Sequence, residues 1–149
     1  MKSIKKILYA TDYSKASARA LDDAVSLAKQ NDAELWVAHV IEPLGAYATG
    51  DDFGGAELYM KLEDAAKREA EAGMKKLMQK LQSLNVKAKS LLLRGTAYDQ
   101  IVKAAKSKKA DMIVIGTHGR TGLSKLFMGS VAGKVVSMAT CPVLTVRGK

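Results

Sequence analysis

One cysteine, Cys141, stands in the 149 residues, so no intrachain disulfide can form. Placed before Pro142, it reads as a small buried hydrophobe rather than a reactive thiol. Two prolines and twelve glycines exclude collagen-like and proline-rich classes. Aromatic residues make up only 5%, so the core has to be aliphatic, with methionines as fillers or helix-face residues. The two histidines and one cysteine form no metal-ligand spacing. No apolar run approaches the length of a membrane span. The basic start, Met1-Lys2-Ser3-Ile4-Lys5-Lys6, has the character of a signal-peptide leader, but the apolar run after it is too short and ends at Asp12. A soluble, cytoplasmic protein with no membrane partner is expected.

Hydrophobic residues at 48% exclude a disordered chain, and the length suits one domain over residues 1–149. The net charge of +9 is unevenly placed. Residues 42–72 carry eight acidic and three basic side chains, whereas residues 73–149 carry fifteen basic and two acidic. The second half therefore favours an anionic partner, although solvated lysines give the same count. Lys103, Lys106, Lys108 and Lys109 suit a helix C-terminus. They lack the interleaved aromatics of a nucleic-acid surface, and nucleic acid is not the expected partner.

Apolar periodicity divides the chain. Ile4–Ala10 reads as a strand, and Thr11-Asp12-Tyr13-Ser14 as a polar turn in which Ser14 can cap a helix. Ala18, Leu21, Val25 and Ala28 recur at helical spacing up to about Asp32. Residues 34–41 form a second strand, nearly continuous in apolar character, as suits a strand covered on both faces. After a glycine-containing loop, Glu57–Leu84 is a long helix with Leu58, Leu62, Ala66, Gly73, Leu77, Leu81 and Leu84 along one stripe. Gly73 weakens it and suggests a close helix–sheet contact. Val86–Leu93 is a third strand, Gly95-Thr96 opens a helix, and Asp111–Ile115 is a fourth strand. Gly116–Met128 is a loop, Gly129–Met138 a helix and Val143–Val146 a fifth strand. Strict alternation of strand and helix predicts an α/β fold with a parallel sheet and helices on both faces. In such sheets ligands sit beyond the carboxyl ends of the strands, where the strand order reverses.

The segment after the fourth strand carries the chemistry. Gly116-Thr117-His118-Gly119-Arg120 is followed, with nine residues between Gly119 and Gly129, by Gly129-Ser130 at a helix start. Glycines let backbone approach an anion, helix-start N–H groups bind phosphate, and Ser130, Arg120 and Lys125 add donors and charge. The spacing is neither a P-loop nor G-x-G-x-x-G. A surface loop with turn glycines has the same local signature.

Spaced as G-x2-G-x9-G-[ST], Gly116, Gly119, Gly129 and Ser130 resemble the ATP-binding branch of the universal stress proteins. Ile7-Leu8-Tyr9-Ala10-Thr11-Asp12-Tyr13-Ser14, His39-Val40-Ile41 and Cys141-Pro142-Val143-Leu144-Thr145-Val146 are similar to that family's first, second and last strands. The resemblance implies a five-stranded sheet of order 3-2-1-4-5 holding ATP, or AMP or ADP, between the first and fourth strands. It implies that Asp12 contacts the ribose near a phosphate-bound Mg²⁺, and that Ala10 and Thr11 line the adenine side. The backbone of Val40 would read the adenine edge. Gly116, Gly119, Arg120, Gly129, Ser130 and Val131 would hold ribose and phosphates. It also implies a homodimer through the last strand, Val143, Leu144, Thr145 and Val146. Ala10 departs from the proline that some members carry there.

On local physics alone Asp12 reads as a turn former or helix-start acid rather than a ribose ligand, and the glycine pattern favours the ligand. His118 has no acid or nucleophile set beside it by the sequence, and His39 reads as a packed or hydrogen-bonded histidine. The expected function is therefore an ATP-binding regulatory module rather than an enzyme. The alternatives are a slow ATPase or self-phosphorylating enzyme in the same pocket, a basic scaffold for nucleic acid or protein, and a flavodoxin-like protein. The scarcity of aromatics counts against the last.

Overall fold

A computed structural model describes residues 2–44, 55–117 and 128–148. Five strands and four helices alternate: β1 Lys6–Ala10, α1 Lys15–Asn31, β2 Glu34–Ile41, α2 Gly55–Ser83, β3 Ala88–Arg94, α3 Ala97–Ser107, β4 Met112–Gly116, α4 Ser130–Met138 and β5 Val143–Val146. The sheet runs β3-β2-β1-β4-β5 with every pairing parallel. Ile7 thus lies between Leu35 of β2 and Met112 of β4. The order is the expected one, β2 and β5 have the expected bounds, and those of β1, β3 and β4 differ by at most two residues.

Side chains alternate across the sheet with the period of a strand. Ile7 and Tyr9 of β1, Leu35 and Val37 of β2 and Val114 of β4 face one core, which is closed by Ala20, Leu21, Ala24 and Ala28 of α1 and Met74 and Leu81 of α2. Leu8 and Ala10, Ala38, and Ile113 and Ile115 face the other, against Ile101 and Ala105 of α3 and Ala132 and Val135 of α4. Leu8, Leu35 and Ile113 are wholly buried, each contributing about 2 kcal/mol of apolar burial. Cys141 packs half-buried at the edge of the second core, and burial pushes its thiol pKa up. It is a packed hydrophobe, as its sequence context suggests.

Helix ends follow their sequence signals. Ser14, in an extended conformation, accepts a hydrogen bond from the Ser17 N–H and caps α1. Asp32 closes the same helix in the left-handed region at φ 50°, its N–H bonded to Ala28 and Lys29. At the start of β4, Asp111 Oδ2 accepts from the backbone N–H groups of Lys5 and Lys6 at 2.8 and 2.9 Å, which ties β1 to β4. The Lys5 and Lys6 N–H groups hold the Asp111 carboxyl below the usual carboxylate range. A depressed folded-state pKa gives stability above the ordinary aspartate value that is lost as pH falls through the lowered one. Asp111→Ala should therefore cost about 1 kcal/mol at neutral pH, a difference that shrinks below about pH 4. Denaturant titrations of both proteins at several pH values check it.

The stripe of α2 is only half used. Twenty-nine residues of helix are about 43 Å long, whereas the eight residues of β2 reach about 26 Å. Its buried residues are Ala70, Met74 and Leu81. Leu58 and Leu62 are 39% and 44% exposed, because the helix there overhangs the carboxyl end of the sheet. An ion pair between Glu63 and Arg94 at the end of β3 steadies that part, and Arg94 holds the Glu63 carboxyl below its usual range. Gly73 makes its close contact with the ring of Tyr13, not with a strand. Of the methionines, Met74 is buried, while Met60, Met128 and Met138 lie on the surface.

Candidate functional site

Between β1 and β4 the strand order reverses, since the chain leaves β1 for one face of the sheet and β4 for the other. There the carboxyl ends of β1, β2 and β4 open into a cleft of about 530 Å³. Ala10, Thr11, Ile115 and Gly116 lie at the strand ends, and Ala38, His39, Val40 and Ile41 continue the lining along β2. Ala66, Glu69 and Ala70 of α2 form one wall. Ala97 and Ile101 of α3, with Ser130, Val131 and Ala132 of α4, form the opposite one. The volume falls in the range of small-molecule pockets.

The turn from β1 to α1 is built by its own side chains. Thr11 is buried, and its N–H donates to the Ala38 carbonyl at 2.9 Å. Thr11 Oγ1 lies 3.0 Å from Ser17 Oγ and accepts the Tyr13 N–H at 2.9 Å. Tyr9 donates its hydroxyl to the Ser17 carbonyl, and burial pushes its phenol pKa up. Asp12 Oδ1 accepts the Ser14 N–H at 2.9 Å, so the aspartate is a turn former and at the same time lines the cleft. His39 Nδ1 lies 2.9 Å from the Thr11 carbonyl. A carbonyl only accepts, so Nδ1 carries the proton and, in the neutral ring, Nε2 is the acceptor. Tyr13 stacks on His39 with centroids 4.2 Å apart. Its backbone takes φ 63°, a left-handed conformation that costs a side-chain-bearing residue roughly 1–2 kcal/mol.

Three helices begin beside the cleft, and they differ. The N-cap of α3, Thr96, makes no side-chain cap bond, and the Ala97 N–H donates to Glu42 Oε1 at 3.3 Å. The end of α1 is satisfied internally by Ser14. The N-cap of α4 is Gly129, which has no side chain to bond the first-turn N–H groups. Gly129 itself donates to the Thr117 carbonyl, and the Gly133 N–H returns to the Gly129 carbonyl at 2.9 Å. The first turn, Ser130-Val131-Ala132, therefore presents the positive end of the helix dipole to the cleft. Gly116 has a packing reason of its own. A Cβ there would stand 3.1 Å from the Ala16 carbonyl oxygen in the first turn of α1.

Eight of the residues expected from the sequence thus line one cleft: Ala10, Thr11, Asp12, Val40, Gly116, Gly129, Ser130 and Val131. Gly119 and Arg120 lie outside the described residues, as do His118 and Lys125. The sequence reading missed Tyr13, the place of His39 in the lining, and the walls from α2 and α3. The one signal for Tyr13 was a glycine in the middle of a helix, Gly73. Among the described lining residues the charged side chains are Asp12, Glu42 and Glu69, with no lysine or arginine. No group of three or more His, Cys, Asp or Glu able to hold a metal occurs among the described residues.

The sequence pattern of the universal stress protein family matches residues 3–147. The chain belongs to that family. A universal stress protein of Thermus aquaticus is 40% identical over 144 residues, covering 96% of this chain and 98% of its own. The universal stress protein MJ0531 of Methanocaldococcus jannaschii is 37% identical over 143 residues, covering 96% of this chain and 82% of its own. The solved structure of MJ0577 from the same archaeon superposes with a TM-score of 0.87 at 29% identity, covering 99% of both chains. Two more distant chains share the fold. One, from Arabidopsis thaliana, was solved with AMP bound and is 19% identical, with a TM-score of 0.70 over 97% of this chain and 92% of its own. The other, a universal stress protein in complex with cAMP, is 24% identical, with a TM-score of 0.62 over 97% of this chain and 98% of its own. No described helix is long and apolar enough to cross a membrane.

Proposed function

We propose that this universal stress protein binds ATP, carried as its Mg²⁺ complex, in the cleft between β1 and β4, and acts through occupancy rather than turnover. The observation that carries the reading is the start of α4. A helix N-terminus whose N-cap is a glycine, with a serine at its first position, opens on the same cleft as a carboxylate, Asp12. The first suits phosphate and the second a ribose hydroxyl. Small apolar side chains, Ala38, Val40, Ala66 and Ala70, line the space between sheet and α2 and suit a flat base. The carboxylates of the lining disfavour a bare polyphosphate. Mg²⁺ bound to the phosphates offsets that repulsion, with water and at most the Asp12 carboxylate completing its shell. Arg120 and Gly119 belong to the same proposal through the glycine pattern alone.

A homodimer through β5 completes it. β5 is the last strand of the sheet, and Val143, Leu144 and Val146 are only half-buried. An edge of this kind offers unpaired backbone groups to a second strand.

Calorimetric titration of the nucleotide-free protein with Mg-ATP tests the reading: one site per chain is expected, and a folded protein that takes up no nucleotide overturns it. Asp12→Asn keeps an oxygen for the Ser14 N–H and loses the charge and the second acceptor. Its affinity should fall about tenfold, the loss of about 1.4 kcal/mol, with the melting temperature nearly unchanged. Unaltered affinity would remove Asp12 from the site.

A further inference from the structure

Tyr13 lies in the wall of the cleft with its backbone in the left-handed region. A tyrosine keeps that conformation only where its surroundings impose it, and such outliers collect at sites where the strain is used. Four contacts impose it here. The Tyr13 N–H donates to Thr11 Oγ1 at 2.9 Å. The ring stacks on His39, with the planes inclined by 19°. The hydroxyl donates to the Ala70 carbonyl at 2.8 Å. Gly73 lies so close that a Cβ there would stand 2.7 Å from Tyr13 Cε2. One ring therefore touches β2 through His39 and α2 through Ala70 and Gly73, and its backbone adjoins Asp12.

The attachment point on α2 is particular. Ala70 is the first buried residue of α2 from its N-terminus, and the helix before it overhangs the sheet. Tyr13 thus stands at the boundary between the packed and the overhanging parts. Local opening starts where buried contacts are few, so this boundary is where α2 comes loose first.

We propose that Tyr13 is a positioning residue that couples occupancy of the cleft to the docking of α2. The inference rests on the reading of the cleft as a nucleotide site. A ligand hydroxyl on Asp12 and a base beside His39 fix the turn and the stack from two sides. The ring has no second place to go, because Gly73 already closes on it. Fixing the ring holds the Ala70 carbonyl, and with it the middle of α2. Without ligand, the strain at Tyr13 is opposed only by contacts within the protein, these four among them. The nucleotide is then read out as the stability of α2, with no movement of the sheet.

Hydrogen exchange on the full chain tests this, with wild type, Tyr13→Phe and Tyr13→Asn compared. Phenylalanine keeps the ring and loses the bond to Ala70. Asparagine tolerates the left-handed backbone and loses the ring. Without nucleotide, Tyr13→Phe should speed exchange of α2 amides between residues 66 and 76 about fivefold, the equilibrium factor of one hydrogen bond, with α3 amides unchanged. Saturating Mg-ATP, with saturation fixed from each protein's own isotherm, should slow the same α2 amides in wild type about fivefold or more and leave them unslowed in Tyr13→Asn. Equal slowing in Tyr13→Asn and wild type overturns the coupling, as does wild-type α2 exchange that ignores bound nucleotide. A wild type that binds no nucleotide overturns the reading of the cleft and the coupling with it. The ligand-free comparison still decides separately whether Tyr13 holds α2.

Discussion

Gly129→Asp is expected to stabilise the fold slightly and to weaken Mg-ATP binding at least about a hundredfold, which is about 2.7 kcal/mol. The two effects have opposite signs because one structural fact underlies both. Gly129 takes φ −59° and ψ 153°, a conformation open to any L residue, so the substitution introduces no backbone strain. As an N-cap it bonds nothing through a side chain, and an aspartate there can accept from the first-turn N–H groups. That gain is a few tenths of a kcal/mol over glycine, with a further contribution from the helix dipole. The same carboxylate fills the place proposed for phosphate and repels it. Two like charges about 4 Å apart at an effective dielectric of 20 oppose one another by about 4 kcal/mol, which exceeds the capping gain several-fold. Thermal unfolding and calorimetry on one preparation check both halves. A variant that binds as well as the wild type would show that the start of α4 is not the phosphate site. Gly129→Asn separates the two contributions, since it caps without charge and should lose less affinity.

How much of this was legible in the sequence depends on what each residue answers to. The alternation of Ile7 and Tyr9 with Leu8 and Ala10 divides β1 between two cores, and such a pattern is local and readable. So is the Ser14 cap, three residues before the N–H that it bonds. The order of the strands was not in the periodicity; it came from the resemblance of the glycine spacing and strand ends to a family. The overhang of α2 was hidden because helical periodicity records a face and not the length of what that face meets. Leu58 and Leu62 keep the stripe of Leu77 and Leu81 after the sheet has ended. Tyr13 was hidden for a related reason. Its partners, His39, Ala70 and Gly73, are 26 to 60 positions away, and only the fold brings them to one ring. Asp12 was posed as a choice between turn former and ligand. The structure makes it a turn former through Oδ1 and places it in the lining of the cleft, so forming the turn does not take it out of a ligand's reach.

Gly116 and Gly129 belong to one spaced pattern, yet Gly116→Val is expected to act on stability and not on recognition. Gly116 ends β4, in register with Val146 of β5. A Cβ there would meet the carbonyl oxygen of Ala16 at 3.1 Å and its carbon at 3.3 Å. These are backbone atoms in the first turn of α1, which cannot swing aside as the end of a side chain can. That turn is also held by Ser14 and Ser17 and by the Tyr9 hydroxyl on the Ser17 carbonyl. Valine adds two methyl groups beyond the Cβ, so α1 has to move off the end of β4 or the strand has to twist. Overpacking of this kind costs about 3 kcal/mol, a large part of the stability of a domain this size. The melting temperature should fall by about 6–12 °C, at 2–4 °C per kcal/mol. Affinity measured well below the transition, on the folded fraction, should change far less than in Gly129→Asp. The reverse outcome, a stable Gly116→Val that no longer binds, would mean that α1 yields and that the backbone of Gly116 meets the ligand directly. In the first case one glycine of the pattern keeps two elements close and the other leaves a helix end open, and the pattern records both requirements at once.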